Sequence, residues 1–327
     1  MNISNTYISL HEESNKIIQN FDKVDINEIK PTIQNINENI YEEDLSIVVD
    51  ELINLTFNDL NKGNESIVRK KRILNYINEH NIILQEIYNW LLNNQYHSNS
   101  IYLFGYFNYH GIVTDNNKQK ASKLYQIATK LENIVAQLDL AIMYINGVGG
   151  EQNYTKAFEL SKKLTEKGNP NAMNRLGFCY DRGIGIEVNK QKAFELYQKA
   201  AYLGNSNGID NMGTCYENGV GTDIDIKKAF ELYQKAADLG NANGMNSLGY
   251  CYENGVGTDI DIKKAFELYQ KAANLENHYA QFNLASLYEK GIETKKDITK
   301  AIYWYKKSLE QGHSYAQKKL NDLLLIL

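Results

Sequence analysis

Three cysteines, Cys179, Cys215 and Cys251, stand 36 residues apart. A cysteine can be a nucleophile, a metal ligand or half of a disulfide, so this spacing is tested first. The constant interval makes them one position of a repeat, met three times. Equivalent positions on stacked helices lie about 8–10 Å apart, too far for a disulfide without backbone movement. The expected role is that of a small buried core residue. The six histidines, His11, His80, His97, His110, His278 and His313, show no paired spacing suited to zinc. Asp223-Ile224-Asp225 and Asp259-Ile260-Asp261 begin like calcium loops. Ile226 and Lys227 then stand where a further ligand and a sharp glycine turn are needed, so the aspartates read as helix caps. Gly147-Val148-Gly149-Gly150 and Gly219-Val220-Gly221 follow helical rather than strand patterns, which makes them turn glycines and not phosphate cradles. Arg69-Lys70-Lys71-Arg72 reads as the solvated face of a short helix rather than an anion site. No nucleophile–base pair stands out. The chain is therefore read as a non-enzyme, with no metal and no cofactor.

Composition narrows the partners. A net charge of -5 leaves no electrostatic footprint for nucleic acid and no polybasic patch for a membrane. No window approaches 18 apolar residues, and the N-terminal MNISNTYISLHEESNKIIQNFDK lacks a basic start followed by an apolar run. A cytoplasmic monomer is the expectation.

The elements that must position any surface are helical. Residues 1–40 are polar and Asn-rich, and are expected to be poorly ordered. Residues 41–97 read as three amphipathic helices, the first carrying Leu45, Val48, Val49, Leu52 and Ile53 on one stripe. From residue 98 a 36-residue register begins, and residues 216–237 return unchanged at 252–273. Small residues recur at Gly105, Ala141, Gly177, Gly213, Gly249 and Ala285. Gly111, Gly147, Gly183, Gly219, Gly255 and Gly291 follow six residues later. Asn117, Asn153, Asn189, Asp225, Asp261 and Asp297 precede a second small position by four. Each repeat thus reads as helix A, a glycine stop, a capped helix B, and Gly-Asn punctuation before the next repeat. The predicted repeats are 98–133, 134–169, 170–205, 206–241, 242–277 and 278–313, with a closing helix at 314–327.

The pattern small-x-x-Tyr-x-x-Gly-x-Gly, Asp-x-x-Lys-Ala, Tyr-x-Lys-Ala-Ala resembles the Sel1-like repeat, a relative of the tetratricopeptide repeat. It is clearest at Gly249, Tyr252, Gly255 and Gly257, then Asp261, Lys264 and Ala265, then Tyr269, Lys271, Ala272 and Ala273. The resemblance implies an all-α fold, a right-handed α-solenoid of helix-turn-helix repeats with an N-terminal helical cap. It also implies a non-catalytic adaptor, in signalling among other settings. Residues 47–96 resemble the helical linker that precedes such arrays in certain fungal proteins, often downstream of a kinase domain. No kinase motif is present, so the second reading is a regulatory relative that binds a protein kinase.

By analogy with tetratricopeptide repeats, helix A lines a concave binding face. The candidate stripe is Asn171, Asn174 and Asp181; then Asn207, Asp210 and Glu217; then Asn243, Asn246, Tyr250 and Glu253. Its asparagines could bond an extended peptide backbone, and its carboxylates favour a basic segment. In the first repeat Tyr102 and Tyr106 stand on the same stripe. They are read either as a binding hot spot or as the surface against which residues 41–97 fold.

Overall fold

The computed structural model describes residues 42–324, which form sixteen helices and no strand. The expectation for residues 1–40 lies outside the described residues. Three helices come first: α1 (Glu42–Lys62), α2 (Ser66–Glu79) and α3 (Leu84–Asn93). Six antiparallel pairs follow: α4 (Ser98–His110) with α5 (Lys118–Lys130), α6 (Ile134–Asn146) with α7 (Tyr154–Glu166), α8 (Pro170–Arg182) with α9 (Lys190–Tyr202), α10 (Ser206–Asn218) with α11 (Ile226–Asp238), α12 (Ala242–Asn254) with α13 (Ile262–Asn274), and α14 (His278–Lys290) with α15 (Ile298–Glu310). The last described helix is α16 (Ser314–Leu324). The fold class is an α-solenoid of helix-turn-helix repeats.

Each element follows from local chemistry. Asn117, Asn153, Asn189, Asp225, Asp261 and Asp297 all cap their B helices, accepting a backbone N–H three residues on at 2.9–3.0 Å. Each A helix ends on a glycine in the left-handed region, with φ between 61° and 71°. The second turn glycine is replaced by Val113 in the first repeat and Glu293 in the sixth, yet both keep a positive φ, 73° and 57°. The turn geometry is imposed by the flanking helices, and these two residues bear its strain.

The described residues group into two compact units, 42–57 with 72–160, and 58–71 with 161–324. In the first, Tyr102, Phe104, Tyr106 and Phe107 are fully buried. Tyr102 stacks on Tyr125 with ring centroids 5.0 Å apart, Tyr88 of α3 packs on Phe104 at 5.5 Å, and Asn99 donates to Asp50 at 2.8 Å. In the second, an edge-to-face aromatic pair joins helix B of one repeat to helix A of the next: Phe194–Tyr216, Phe230–Tyr252 and Phe266–Tyr288, at 5.4–5.5 Å. Within a repeat the small position of helix A lets the helix-B tyrosine close in. A Cβ on Gly213 would stand 2.8 Å from the Tyr233 ring. The three cysteines are buried free thiols, pushed up by burial to about 11 for Cys179 and about 12 for Cys215 and Cys251, which makes them packing groups rather than nucleophiles.

Gly221 joins both constraints. Its φ is +67°, and a Cβ there would lie 2.3 Å from the Lys190 carbonyl oxygen of the preceding repeat. Gly240, φ +84°, has nothing within 4 Å of the same construction. Gly221→Ala is therefore expected to destabilise by roughly 1–3 kcal/mol more than Gly240→Ala. Val113→Gly is expected to stabilise by about 1 kcal/mol. Urea denaturation of the three variants checks both statements; equal losses for the two alanine variants would contradict the inter-repeat contact.

Candidate functional site

The A helices carry two sets of polar contacts. The first lies at their N-terminal ends. Asn133, Asn169, Asn205, Asn241 and Asn277 each accept the N–H of the third residue into the following helix, closing its first turn. The same side chains donate backwards through Nδ2. Asn133 reaches Asn99 Oδ1 at 2.8 Å in the first unit; in the second, Asn241 reaches Asn207 Oδ1 at 2.8 Å and Asn277 reaches Asn243 Oδ1 at 2.7 Å.

Two junctions depart from this rule, and both departures have a sequence cause. By sequence register the position that would serve Asn169 is Val135, whose side chain has no acceptor. Asn171, which would receive Asn205, instead accepts from Arg175 Nε at 2.7 Å and donates to Leu60 O at 2.7 Å. The last turn of α1 and the turn that follows it take both places. Asn169 donates to Asn61 Oδ1 at 2.8 Å and Asn205 to Asn61 O at 2.9 Å. Ser206 and Asn207 donate to Gly63 O at 3.3 and 3.0 Å. Three backbone carbonyls, of Leu60, Asn61 and Gly63, and the Asn61 side-chain oxygen are thus read by the rim of the third and fourth repeats.

The second set runs across the faces of the A helices, from one repeat to the next. Asn211 donates to Asn174 Oδ1 at 2.8 Å, Ser247 to Asp210 Oδ1 at 3.3 Å, and Asn283 to Asn246 Oδ1 at 3.1 Å. Tyr102 donates to Asp139 at 2.8 Å in the first unit. Asp210 is only 6% exposed. Burial drives its carboxyl up to about 7; the Ser247 hydroxyl opposes this, and the charges of Glu65 and Glu217 add to it. The Glu65 carboxyl is also raised by burial, against the opposing pull of the Ala242 N–H and of Arg69.

Four expected contact residues are corrected by these positions. Tyr102 and Tyr106 are fully buried beneath their own aromatic neighbours and offer no surface. Asn171 and Asp210 are buried, held by the contacts just described. Asn174, Asn207, Asn243 and Asn246 remain at least partly exposed, but each spends its side-chain oxygen or amide on a neighbouring repeat or on the α1–α2 turn rather than leaving both for a peptide. The carboxylates divide as well. Asp181 pairs with Lys190 at 2.8 Å and Arg182 at 3.1 Å, and Glu289 pairs with Lys319 at 3.0 Å. Glu217 and Glu253 have no cationic partner among the described residues. Each accepts the hydroxyl of its own repeat's tyrosine, Tyr233 or Tyr269, at 2.7 Å. Burial pushes both phenols far up, so they stay donors.

One cleft of about 390 Å³ opens on this face, lined by Glu217, Asn218, Asn246, Ser247, Tyr250, Tyr279 and Asn283. Glu217, Asn246 and Tyr250 were expected; Ser247, Tyr279 and Asn283 were not. Tyr279 occupies the register position of Asn207 and Asn243, so extending the stripe by one repeat would have found it. Ser247 and Asn283 lie one residue beyond the chosen stripe, on the row that forms the inter-repeat rungs. Tyr250 and Tyr279 are 47% and 52% exposed, which leaves two ring faces beside an unpaired carboxylate. No group of three metal-ligating side chains occurs among the described residues. No helix there is long and apolar enough to cross a membrane.

These repeats, their caps and their glycine stops define a helical repeat protein. The Sel1 repeat model matches residues 98–133, 134–169, 170–205, 207–241, 242–277 and 278–313, and the chain belongs to the Sel1 repeat family. Among solved structures, a Sel1 repeat protein from Oxalobacter formigenes is 24% identical, covering 69% of this chain and 91% of that one, with a TM-score of 0.55. A protective antigen of uropathogenic Escherichia coli strains displaying an SLR fold is 26% identical, covering 88% and 68%, with a TM-score of 0.47. An immunity protein from Pseudomonas aeruginosa is 26% identical, covering 56% and 67%, with a TM-score of 0.44. No curated protein matches the chain. Sel1 repeat proteins generally mediate protein–protein interaction, and their fold is typically a non-catalytic scaffold.

The junction asparagine can be dissected. Asn205→Asp keeps the oxygen that caps α10 and removes the amide that bonds Asn61 O. A loss of about 1 kcal/mol is expected, the cost of a half-buried carbonyl left without its donor. Denaturation of this variant beside Asn205→Ala checks it; a loss confined to the alanine variant would assign the residue to capping alone.

Proposed function

We propose that this chain is a non-catalytic adaptor that holds a basic, extended segment of a protein partner on the helix-A face, the concave side of the array. The carrying observation is the cleft in which the unpaired Glu217 carboxylate stands beside the exposed rings of Tyr250 and Tyr279. A carboxylate with aromatic walls suits an ammonium or guanidinium group through charge and cation–π attraction. Glu253 continues the same row one repeat further on. A cytoplasmic signalling complex is the setting we assign, with the array acting as a monomer and a protein kinase as one candidate owner of the basic segment. The likeness of residues 47–96 to the linker of fungal kinase-associated arrays supports that candidate. We assign residues 41–97 the role of N-terminal cap of the repeats at 98–327, supported by the packing of Tyr88 on Phe104.

Binding of a fluorescent Arg-rich peptide by anisotropy tests the reading. Changing Glu217 and Glu253 together to Lys is expected to weaken it at least tenfold, and Tyr250→Ala about fivefold. Unchanged affinity in the double variant would remove the basic-segment reading. The cap is tested separately: deleting residues 1–96 should lower the midpoint of thermal unfolding and increase association, and an equally stable, monodisperse array would count against it.

A further inference from the structure

Asp210 is a buried carboxyl that capping and core packing leave unexplained. Its neighbours place it directly behind the cleft. Ser247, which lines the cleft, donates to its Oδ1 at 3.3 Å, and Glu217, also in the lining, stands one turn-pair along the same helix. On the other side lies the start of α2. There Glu65 accepts the Ala242 N–H at the head of α12 and feels the Arg69 guanidinium. The corresponding residues of the neighbouring repeats are Asn174 and Asn246, neutral amides that make the same rung. The register therefore asks only for an acceptor at this point, and an amide would serve. A carboxylic acid makes the rung able to change charge.

We propose that Asp210 couples the cleft to protons: a cationic side chain entering beside Glu217 is bound with Asp210 ionised, and a protonated Asp210 weakens that binding. This rests on the basic-segment reading and adds its regulation. Burial and the two neighbouring carboxylates, Glu65 and Glu217, hold the Asp210 carboxyl up at about 7, inside the range a cell can traverse. Because the raised group is neutral below that point, the cleft is less negative in acid and becomes more attractive to a cation as pH rises through about 7. By linkage, cation binding releases the proton, and the two effects are equal in free energy. Arg69 pulls the Glu65 carboxyl toward its ionised form, the form that acts on Asp210 as a like charge. His278 and His313 stand near Tyr279, with ring centroids 4.1 and 5.4 Å from it. Burial lowers both imidazoles, and the His313 charge lowers His278 further, so they gain charge only in more acidic solution.

The test is the affinity of a terminally blocked Arg-Gly peptide, free of His, Asp and Glu, between pH 5.5 and 8.5. The full chain is expected to bind about fivefold or more tightly at the upper end. Asp210→Asn should bind weakly throughout, keeping only the slope that His278 and His313 contribute. Glu65→Gln removes a like charge, so its rise in affinity should move to lower pH. Calorimetry of the unmodified chain at pH 7 in two buffers of different ionisation enthalpy reads the released proton without any substitution. The same pH slope in Asp210→Asn as in the unmodified chain, or no proton release, overturns the coupling while leaving the basic-segment reading in place. Absence of peptide binding at every pH overturns both.

Discussion

The asparagine that opens each A helix is the contact on which the rest of the second unit depends. A helix N-terminus leaves backbone donors without partners, and a neighbouring repeat needs a fixed register. Asn meets both needs because its oxygen and its nitrogen point apart. In Asn241 the oxygen closes α12 and the amide holds Asn207 of the preceding repeat. Aspartate would cap as well but carries no donor, and serine would have to make both contacts from a single short hydroxyl. Capping and stacking are thus the same event. A repeat displaced along the array would strand this amide without its acceptor, so the side chain that closes the first turn also fixes the register of its repeat.

The departures from this rule explain the α1–α2 turn. The register position that would serve Asn169 is Val135, whose side chain has no acceptor, and Asn171 is occupied by Arg175. Two buried or half-buried amides would then be unsatisfied, at about 1–3 kcal/mol each. Asn61 supplies both acceptors, and Gly63, free to adopt φ +80°, presents its carbonyl to Ser206 and Asn207. The turn is a replacement part for the rim.

What could be read from the sequence was what a fixed interval carries. Helix starts, stops and the close approach of Gly213 to Tyr233 involve residues within one or two repeats, so the 36-residue register exposed them. The α1–α2 turn meets Asn205 and Asn207 across 144 residues, with no register to connect them. Tyr102 and Tyr106 share a helix-A stripe in the register, but a stripe does not reveal what covers it. Their burial depends on aromatic packing in the first unit that only the fold assembles. Nor does the asparagine column reveal that Asn174 and Asn246 each give their side-chain oxygen to the next repeat.

The identical copies at 216–237 and 252–273 show where neighbouring repeats differ. Their shared letters supply turns, caps and fill, together with the carboxylates Glu217 and Glu253. The cleft takes Asn246, Ser247 and Tyr250 from the segment just before the second copy, where the corresponding residues of the preceding repeat are Asp210, Asn211 and Thr214. Two of these differences matter chemically. Thr214→Tyr250 adds an exposed ring at the cleft, and Asp210→Asn246 confines the ionisable rung to one side of it. A duplicated scaffold therefore carries an asymmetric cleft, because the copying preserved the geometry while the segment upstream diverged in charge and surface.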